Sequence, residues 1–260
     1  MSTQKDTIDF GFETIATEQK AGKVRAVFDS VASNYDIMND AMSMGIHRLW
    51  KKTLLDRLSP RPGQSLIDVA GGTGDIAAGF IRRANERGSD KPAHATICDI
   101  NHSMLKAGQE RGQNVKNPDA PYQDQMTRVC GNAEALPLPS SSMNAYTIGF
   151  GIRNVTDRDA ALHEAYRVLK PGGRFICLEF SHMITGSLQK LYDTYSFNAI
   201  PWLGEKIADD RDSYQYLIES IRKFPTQEAF RTQIEHAGFS KVRFENLSGG
   251  IAALHLAWRL

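Results

Sequence analysis

At 260 residues the chain is long enough to bury one sizeable hydrophobic core, with some length left for a cap. Thirty-one basic residues face thirty acidic ones, a net charge of +1, which excludes a broad polyanion-binding field and makes nucleic acid an unexpected partner. The N-terminus carries no apolar signal segment, and no run nears the roughly 18 apolar residues that span a bilayer, so a cytoplasmic protein is expected, one that at most lies on a membrane.

Residues 1–20 are polar and aperiodic and read as a mobile N-terminal arm. From Gly22 the apolar positions Val24, Val27, Phe28, Val31 and Tyr35 recur at helical spacing. A second helix is expected over Ser43–Leu58, stopped by Ser59-Pro60-Arg61-Pro62-Gly63. Beyond that stop the period changes. Short apolar runs at 65–70, 94–100, 126–131, 145–150 and 174–180 read as strands, and helices are expected between them over 75–87, 103–113 and 157–169. Strands joined by crossover helices imply a parallel sheet wound on both faces. Asp157 is a reasonable N-cap, and Lys170-Pro171-Gly172-Gly173 reads as the stop of that helix. The stretch 183–224 is rich in aromatics, among them Tyr192, Tyr195, Phe197, Trp202, Tyr214 and Tyr216. After a last helix over 226–237 come two strands, 241–247 and 251–259. Only Ser248-Gly249-Gly250 lies between them, too short for a helical crossover, so they form a hairpin. Cys98, Cys130 and Cys177 sit in apolar runs without CxxC spacing and read as buried thiols of a reducing compartment.

The strand-to-helix turn Ile67-Asp68-Val69-Ala70-Gly71-Gly72-Thr73-Gly74 presents the unpaired N–H groups of a helix N-terminus, and glycine lets a ligand approach the backbone. Gly72, Thr73 and Gly74 are candidate cofactor contacts, and Asp68 organises the turn. Asp99, at the end of the second core strand, can accept both hydroxyls of a ribose. The same residues satisfy Gly-x-Gly-x-x-Ala through Ala77, so a dinucleotide and S-adenosyl-L-methionine both remain open here. In open α/β sheets the reacting ligands sit beyond the carboxyl ends of the strands, which places Arg153 and Asn154 of Gly149-Phe150-Gly151-Ile152-Arg153-Asn154 at the chemical edge.

Two further signatures frame the turn: Tyr35-Asp36-Ile37-Met38-Asn39-Asp40-Ala41-Met42-Ser43-Met44-Gly45-Ile46-His47-Arg48-Leu49-Trp50, and the segment from Arg167 to Ser181. With them the chain resembles, from about Val24 to the C-terminus, the ubiquinone/menaquinone biosynthesis C-methyltransferases. The resemblance implies a class I, Rossmann-like methyltransferase fold. This is a doubly wound seven-stranded sheet, mostly parallel with a C-terminal antiparallel hairpin, plus N-terminal helices and a helical lid insertion. One methyltransferase domain would then cover 21–260, with N-terminal helices over 21–62, a cofactor-binding core over 63–182, the lid over 183–225 and the last helix and hairpin over 226–260.

The resemblance also implies S-adenosyl-L-methionine as cofactor, and it puts Asn132 and Ala133 of Gly131-Asn132-Ala133-Glu134-Ala135-Leu136-Pro137 against the adenine. Gly149 stands where relatives often carry serine, so a side-chain contact there is lost. Ala70 stands where methyltransferases of this class commonly have the first glycine of the turn, while Gly72 and Gly74 match. The implied reaction methylates a ring carbon of a polyprenylated methoxybenzoquinol or of demethylmenaquinol. Arg153 would stabilise phenolate charge, Asn154 would orient an oxygen, and His47 is a candidate base near neutral pH. Tyr35, Tyr195 and Tyr214 are the expected substrate contacts. No metal is expected. Other quinone-biosynthesis proteins, the inner face of the membrane and a homodimer partner are the associations left open. An NAD(P)-linked oxidoreductase would use the glycine turn and Asp99 but leave Asn132–Pro139 unexplained. A non-catalytic scaffold of a quinone-biosynthesis complex is the third reading.

Overall fold

A computed structural model describes residues 7–31, 40, 43, 45–88, 90–114, 117–184, 205 and 210–260. The chain opens with β1 (Thr7–Phe10), β2 (Glu13–Ala16) and α1 (Thr17–Val31), followed by α2 (His47–Leu58). The core then alternates β3 (Ser65–Val69), α3 (Asp75–Asn85), β4 (His94–Asp99), α4 (His102–Gln113), β5 (Met126–Cys130), β6 (Met143–Gly149), α5 (Arg158–Val168) and β7 (Leu169–Phe180). It ends with α6 (Arg211–Lys223), α7 (Gln227–His236), β8 (Ser240–Leu247) and β9 (Ala252–Trp258).

Seven strands lie in the order β5-β4-β3-β6-β7-β9-β8. The neighbours from β5 to β7 are parallel, while β9 runs antiparallel to both β7 and β8. The doubly wound sheet with a terminal hairpin is therefore the architecture of this chain. Alternation along the strands explains why both faces need helices. In β7, Ile176, Leu178 and Phe180 enter one apolar cluster with α2, α3 and α6. Phe175 and Cys177 point the other way, into a second cluster with α5 and α7. Side-chain caps start the helices where the spacing predicts: Asn101 accepts from Met104 N–H, Asp157 from Ala160 N–H and Thr226 from Ala229 N–H.

Three expectations change. Residues 7–16, read as part of a mobile arm, form a two-stranded antiparallel ribbon with Thr7 opposite Ala16 and Phe10 opposite Glu13. Four-residue strands are too short for their alternation to stand out in the sequence, and the ribbon is held by tertiary contact. Phe10 stacks on Tyr216 at 4.0 Å, Phe12 N–H donates to Glu219 Oε2 at 2.9 Å, and Lys223 pairs with Asp9 at 3.4 Å. Lys170–Gly173 does not stand outside the sheet as a helix stop. It forms the irregular start of β7, where the register slips from Met143–Leu169 to Ala145–Arg174 and Gly172 takes φ +81°. Cys130 is exposed, because β5 is the outer edge strand, while Cys98 and Cys177 are buried. Much of the expected lid lies outside the described residues, but its last part, α6, is a packed helix. Tyr214, Leu217, Ile218 and Ile221 bury one face of it against the core.

Among the described residues no helix is long and apolar enough to cross a membrane. Under the hairpin, His255 lies between Phe230 and Phe244, and its Nε2 is 3.0 Å from Gln227 O. Burial pushes its pKa down to about 4, against the weaker pull of that hydrogen bond. The folded imidazole therefore stays neutral where the unfolded chain, titrating near 6.5, takes up a proton. The part of the stability that His255 contributes should fall as pH drops from about 6.5 to about 4 and level off below that window. Urea melts of His255→Phe should show a flatter acid limb over that range than the parent protein.

Candidate active site

The sheet reverses direction between β3 and β6: the chain steps outward from β3 to β4 and β5, then returns to lay β6 on the other side. At the carboxyl ends of these strands opens a cavity of about 530 Å³. The strands leave it in strained turns. Ala70, after β3, has φ +50°, and Phe150, after β6, has φ +60°. A Cβ on Gly151 would come within 2.4 Å of the Ala70 Cβ, so only one of these facing positions can carry a side chain. Gly74, the N-cap of α3, has φ +90°, and a Cβ there would meet Ile97 at 2.6 Å.

Asp99 organises the cofactor side of the cavity. Its Oδ2 accepts Gly72 N–H at 2.9 Å and its Oδ1 accepts Asn101 N–H at 2.8 Å. The Ile100 N–H also bears on this carboxylate, which with four acceptor sites still has capacity for a ligand, and burial raises the carboxyl above its ordinary range. Of the expected cofactor residues, Gly72, Asp99, Asn132 and Ala133 line the cavity. Thr73, Gly74 and Gly149 do not: the Thr73 hydroxyl points to Asp75 at 3.5 Å, and Gly149 faces Ile76 of α3. Asp75 is spent on Lys51, at 3.0 Å, and on Arg111. Burial opposes ionisation there, yet these two cations hold the carboxyl well below the usual range. Asp68 lies beneath the turn, accepting the Thr147 hydroxyl at 2.7 Å, and burial pushes its pKa up to about 7.

The chemical edge divides in two. Asn154 lines the cavity; Arg153, its neighbour in the helical turn Ile152–Asn154, does not. The Arg153 guanidinium is buried behind the wall, 2.8 Å from Glu179 Oε1, 2.5 Å from Phe150 O and 3.3 Å from Ser220 Oγ. Glu179 also accepts the backbone N–H groups of Arg153 and Phe180. Burial raises the Glu179 pKa, with Arg153 pulling against it. Among the candidate residues of the first signature, His47 is buried on α2, 3.2 Å from Ser43 Oγ and 3.4 Å from Asp40 Oδ1, away from the cavity. Tyr214 is buried in α6 and does not line the cavity either. Tyr35 and Tyr195 lie outside the described residues.

The far wall is one the sequence reading did not assign. Thr17, Glu18, Ala21, Val24, Arg25 and Phe28 of α1 face the strand ends. Val24 and Phe28 read as one apolar helix face from Gly22, but Thr17 and Glu18 lie in the stretch read as an aperiodic arm, and the polar residues on the same stripe give no separate signal. Asn101 ties this wall to the floor: its Nδ2 donates to Asp29 of α1 at 3.0 Å.

Comparison with known proteins decides the family. The model of the ubiE/COQ5 methyltransferase family matches residues 14–259. The chain belongs to the ubiE/COQ5 methyltransferase family. It is 54% identical over 254 residues to the ubiquinone/menaquinone biosynthesis C-methyltransferase of Roseobacter denitrificans, covering 98% of this chain and 97% of that protein. It is 55% identical over 251 residues to the protein of the same name from Paracoccus denitrificans, covering 96% of each. Among solved structures, a SAM-dependent methyltransferase from Thermotoga maritima is 17% identical with a TM-score of 0.61, covering 90% of this chain and 99% of that one. The cyclase SpnF, 15% identical, reaches 0.65, covering 92% and 96%. That likeness concerns the fold, which carries more than one chemistry.

In a member of this family the buried Arg153–Glu179 pair has unequal partners. Arginine cannot shed its charge, whereas a carboxyl already raised by burial can take a proton. Glu179→Gln should therefore destabilise the protein by about 3–5 kcal/mol, the usual cost of stranding a buried ion. Arg153→Met should cost clearly less. Denaturant titrations of the two variants check the order; equal losses would show that both partners are stranded alike.

Proposed function

We propose that this protein transfers the methyl group of S-adenosylmethionine to a ring carbon of a quinol, either a polyprenylated methoxybenzoquinol or demethylmenaquinol. The observation that carries the reading is a carboxylate-floored, otherwise largely apolar cavity at the switch point of a chain that shares more than half its residues with C-methyltransferases of ubiquinone and menaquinone biosynthesis. The donor set fits the cofactor. The free lone pairs of Asp99 suit a ribose diol, Gly72 offers close backbone approach, and Ile100, Met104 and Ala133 give an apolar slot for a purine beside Asn132.

When bound, the cofactor supplies an electrophilic methyl on a sulfonium. The protein has to aim a nucleophilic ring carbon at it, stabilise charge on the ring oxygen and keep water out. Asn154, at the cavity wall, is suited to donate a hydrogen bond to that oxygen. Arg153, one layer behind, contributes positive potential rather than contact, and as a permanent cation it is not the proton acceptor. His47 and Tyr214, both buried away from the cavity, act as supports of the wall in this reading. Tyr35 and Tyr195 remain proposed contacts of the quinol. Because a polyprenyl acceptor resides in lipid, we also place the protein at the inner face of the membrane, touching it through Pro201-Trp202-Leu203-Gly204.

Asp99→Ala should weaken S-adenosylhomocysteine binding about 10- to 100-fold, since it removes a charge-assisted acceptor and frees the Gly72 turn. Calorimetric titration measures this, and a parallel titration with NAD should show no binding. NAD binding in place of the homocysteine ligand would sink the methyltransferase reading. Arg153→Ala should lower turnover of a short-chain demethylated quinol well before it affects S-adenosylhomocysteine binding; equal losses in both would refute its assigned role.

A further inference from the structure

One polar atom at the cavity wall is left without a partner. Asn154 is 8% exposed, lines the cavity, and its Nδ2 makes no hydrogen bond among the described residues. Its Oδ1 accepts the Tyr216 hydroxyl at 3.0 Å. A primary amide is nearly symmetric in shape but opposite in chemistry at its two ends, so a neighbour that recognises one end determines which end a ligand meets. Tyr216 is itself 5% exposed, and burial holds its phenol protonated far above the ordinary range. Its proton needs an acceptor, and Asn154 Oδ1 is that acceptor. Turning the amide over would put its oxygen where the buried, unpartnered N–H group lies and leave the tyrosine proton buried and unmatched.

Tyr216 is in turn held in place. The Phe10 ring stacks on it at 4.0 Å with 16° between the planes, and β1 is fastened to α6 through Phe12 N–H to Glu219 and Asp9 to Lys223. The N-terminal ribbon thus braces, through Tyr216, the Asn154 side chain of the cavity wall.

We propose that Tyr216 is a positioning residue for the reaction: its hydroxyl locks the Asn154 amide with the NH₂ end toward the cavity, so that the site selects a ligand oxygen able to accept, and the Phe10 stack keeps that hydroxyl in register. Asn154 is taken here to meet a quinol oxygen, as proposed above, and Tyr216 decides which end of the amide that oxygen finds.

The test is steady-state kinetics on full-length protein with S-adenosylmethionine and a short-chain demethylated methoxybenzoquinol, alongside calorimetric binding of S-adenosylhomocysteine. Tyr216→Phe keeps the ring stack and removes only the hydroxyl. It should lower kcat/KM for the quinol about tenfold, mostly through KM, and leave S-adenosylhomocysteine affinity unchanged. In an Asn154→Ala background the same substitution should add no further loss, whereas a merely structural tyrosine would cost as much again. Asn154→Asp keeps the acceptor for the tyrosine but replaces the N–H with an oxygen, and should lose at least as much activity as Asn154→Ala. This variant also covers the case in which Tyr216→Phe does not fold.

Wild-type kinetics for Tyr216→Phe beside an impaired Asn154→Ala would overturn the role of Tyr216 and leave that of Asn154 standing. A harmless Asn154→Ala would remove the Asn154 reading, and the positioning role with it. Additive losses, a parallel fall in S-adenosylhomocysteine affinity, or an active Asn154→Asp would each overturn the proposal.

Discussion

Two parallel strands that lie side by side but send their chains to opposite faces of the sheet cannot both be covered at their carboxyl ends. Between β3 and β6 this constraint opens the ground on which the cavity stands. It also dictates the local backbone. Both strands must turn sharply within one residue of their ends, and each does so through a non-glycine residue in the left-handed region, Ala70 and Phe150. The two turns meet at Ala70 and Gly151, where one methyl group fills the space available. The alanine of one turn is therefore matched by a glycine in the other, across the crevice.

Around that crevice the polar groups divide into a layer that faces the cavity and a layer that supports it. Asp99 and Asn154 belong to the first, and each has hydrogen-bonding capacity left over. Asp75, Glu179 and Arg153 belong to the second, where each charge is met by a neighbouring cation or carboxylate, and Asp68 lies there too with its Oδ1 on the Thr147 hydroxyl. In a low-dielectric wall this division matters: a spent charge costs little further reorganisation, and an unspent donor is available to a ligand. The supporting layer also links distant parts of the chain, since Glu179 reaches the Arg153 turn from β7, and Ser220 reaches it from α6.

The remaining wall is α1, which is not part of the sheet core. It is held by Asn101 to Asp29, by Lys20 to Val155 O at 3.3 Å and by the ribbon that precedes it. It also buries Val24 and Val27 in the apolar cluster that packs α2, α3 and α6, so the same helix serves as cavity wall on one stripe and as core on its neighbour.

Much of this was legible in the amino-acid order alone. The change from period 3.6 to short apolar runs marked where the sheet begins, the cap at Asp157 marked a helix start, and three residues between two strands forced a hairpin. The turn at Gly72–Gly74 and the carboxylate at Asp99 were visible because their chemistry is local: a strand end, a helix start and a spacing. The tertiary structure alone decided what required a partner distant in sequence. Phe10 looks like part of an arm until Tyr216 lies beneath it. Arg153 and Asn154, adjacent in the chain, point one into the protein and one into the cavity because Glu179 lies 26 residues on. The stripe on α1 is core or cavity wall depending on what faces it. Periodicity records that a face is buried, but not against what, and a charge records its sign, but not which neighbour spends it.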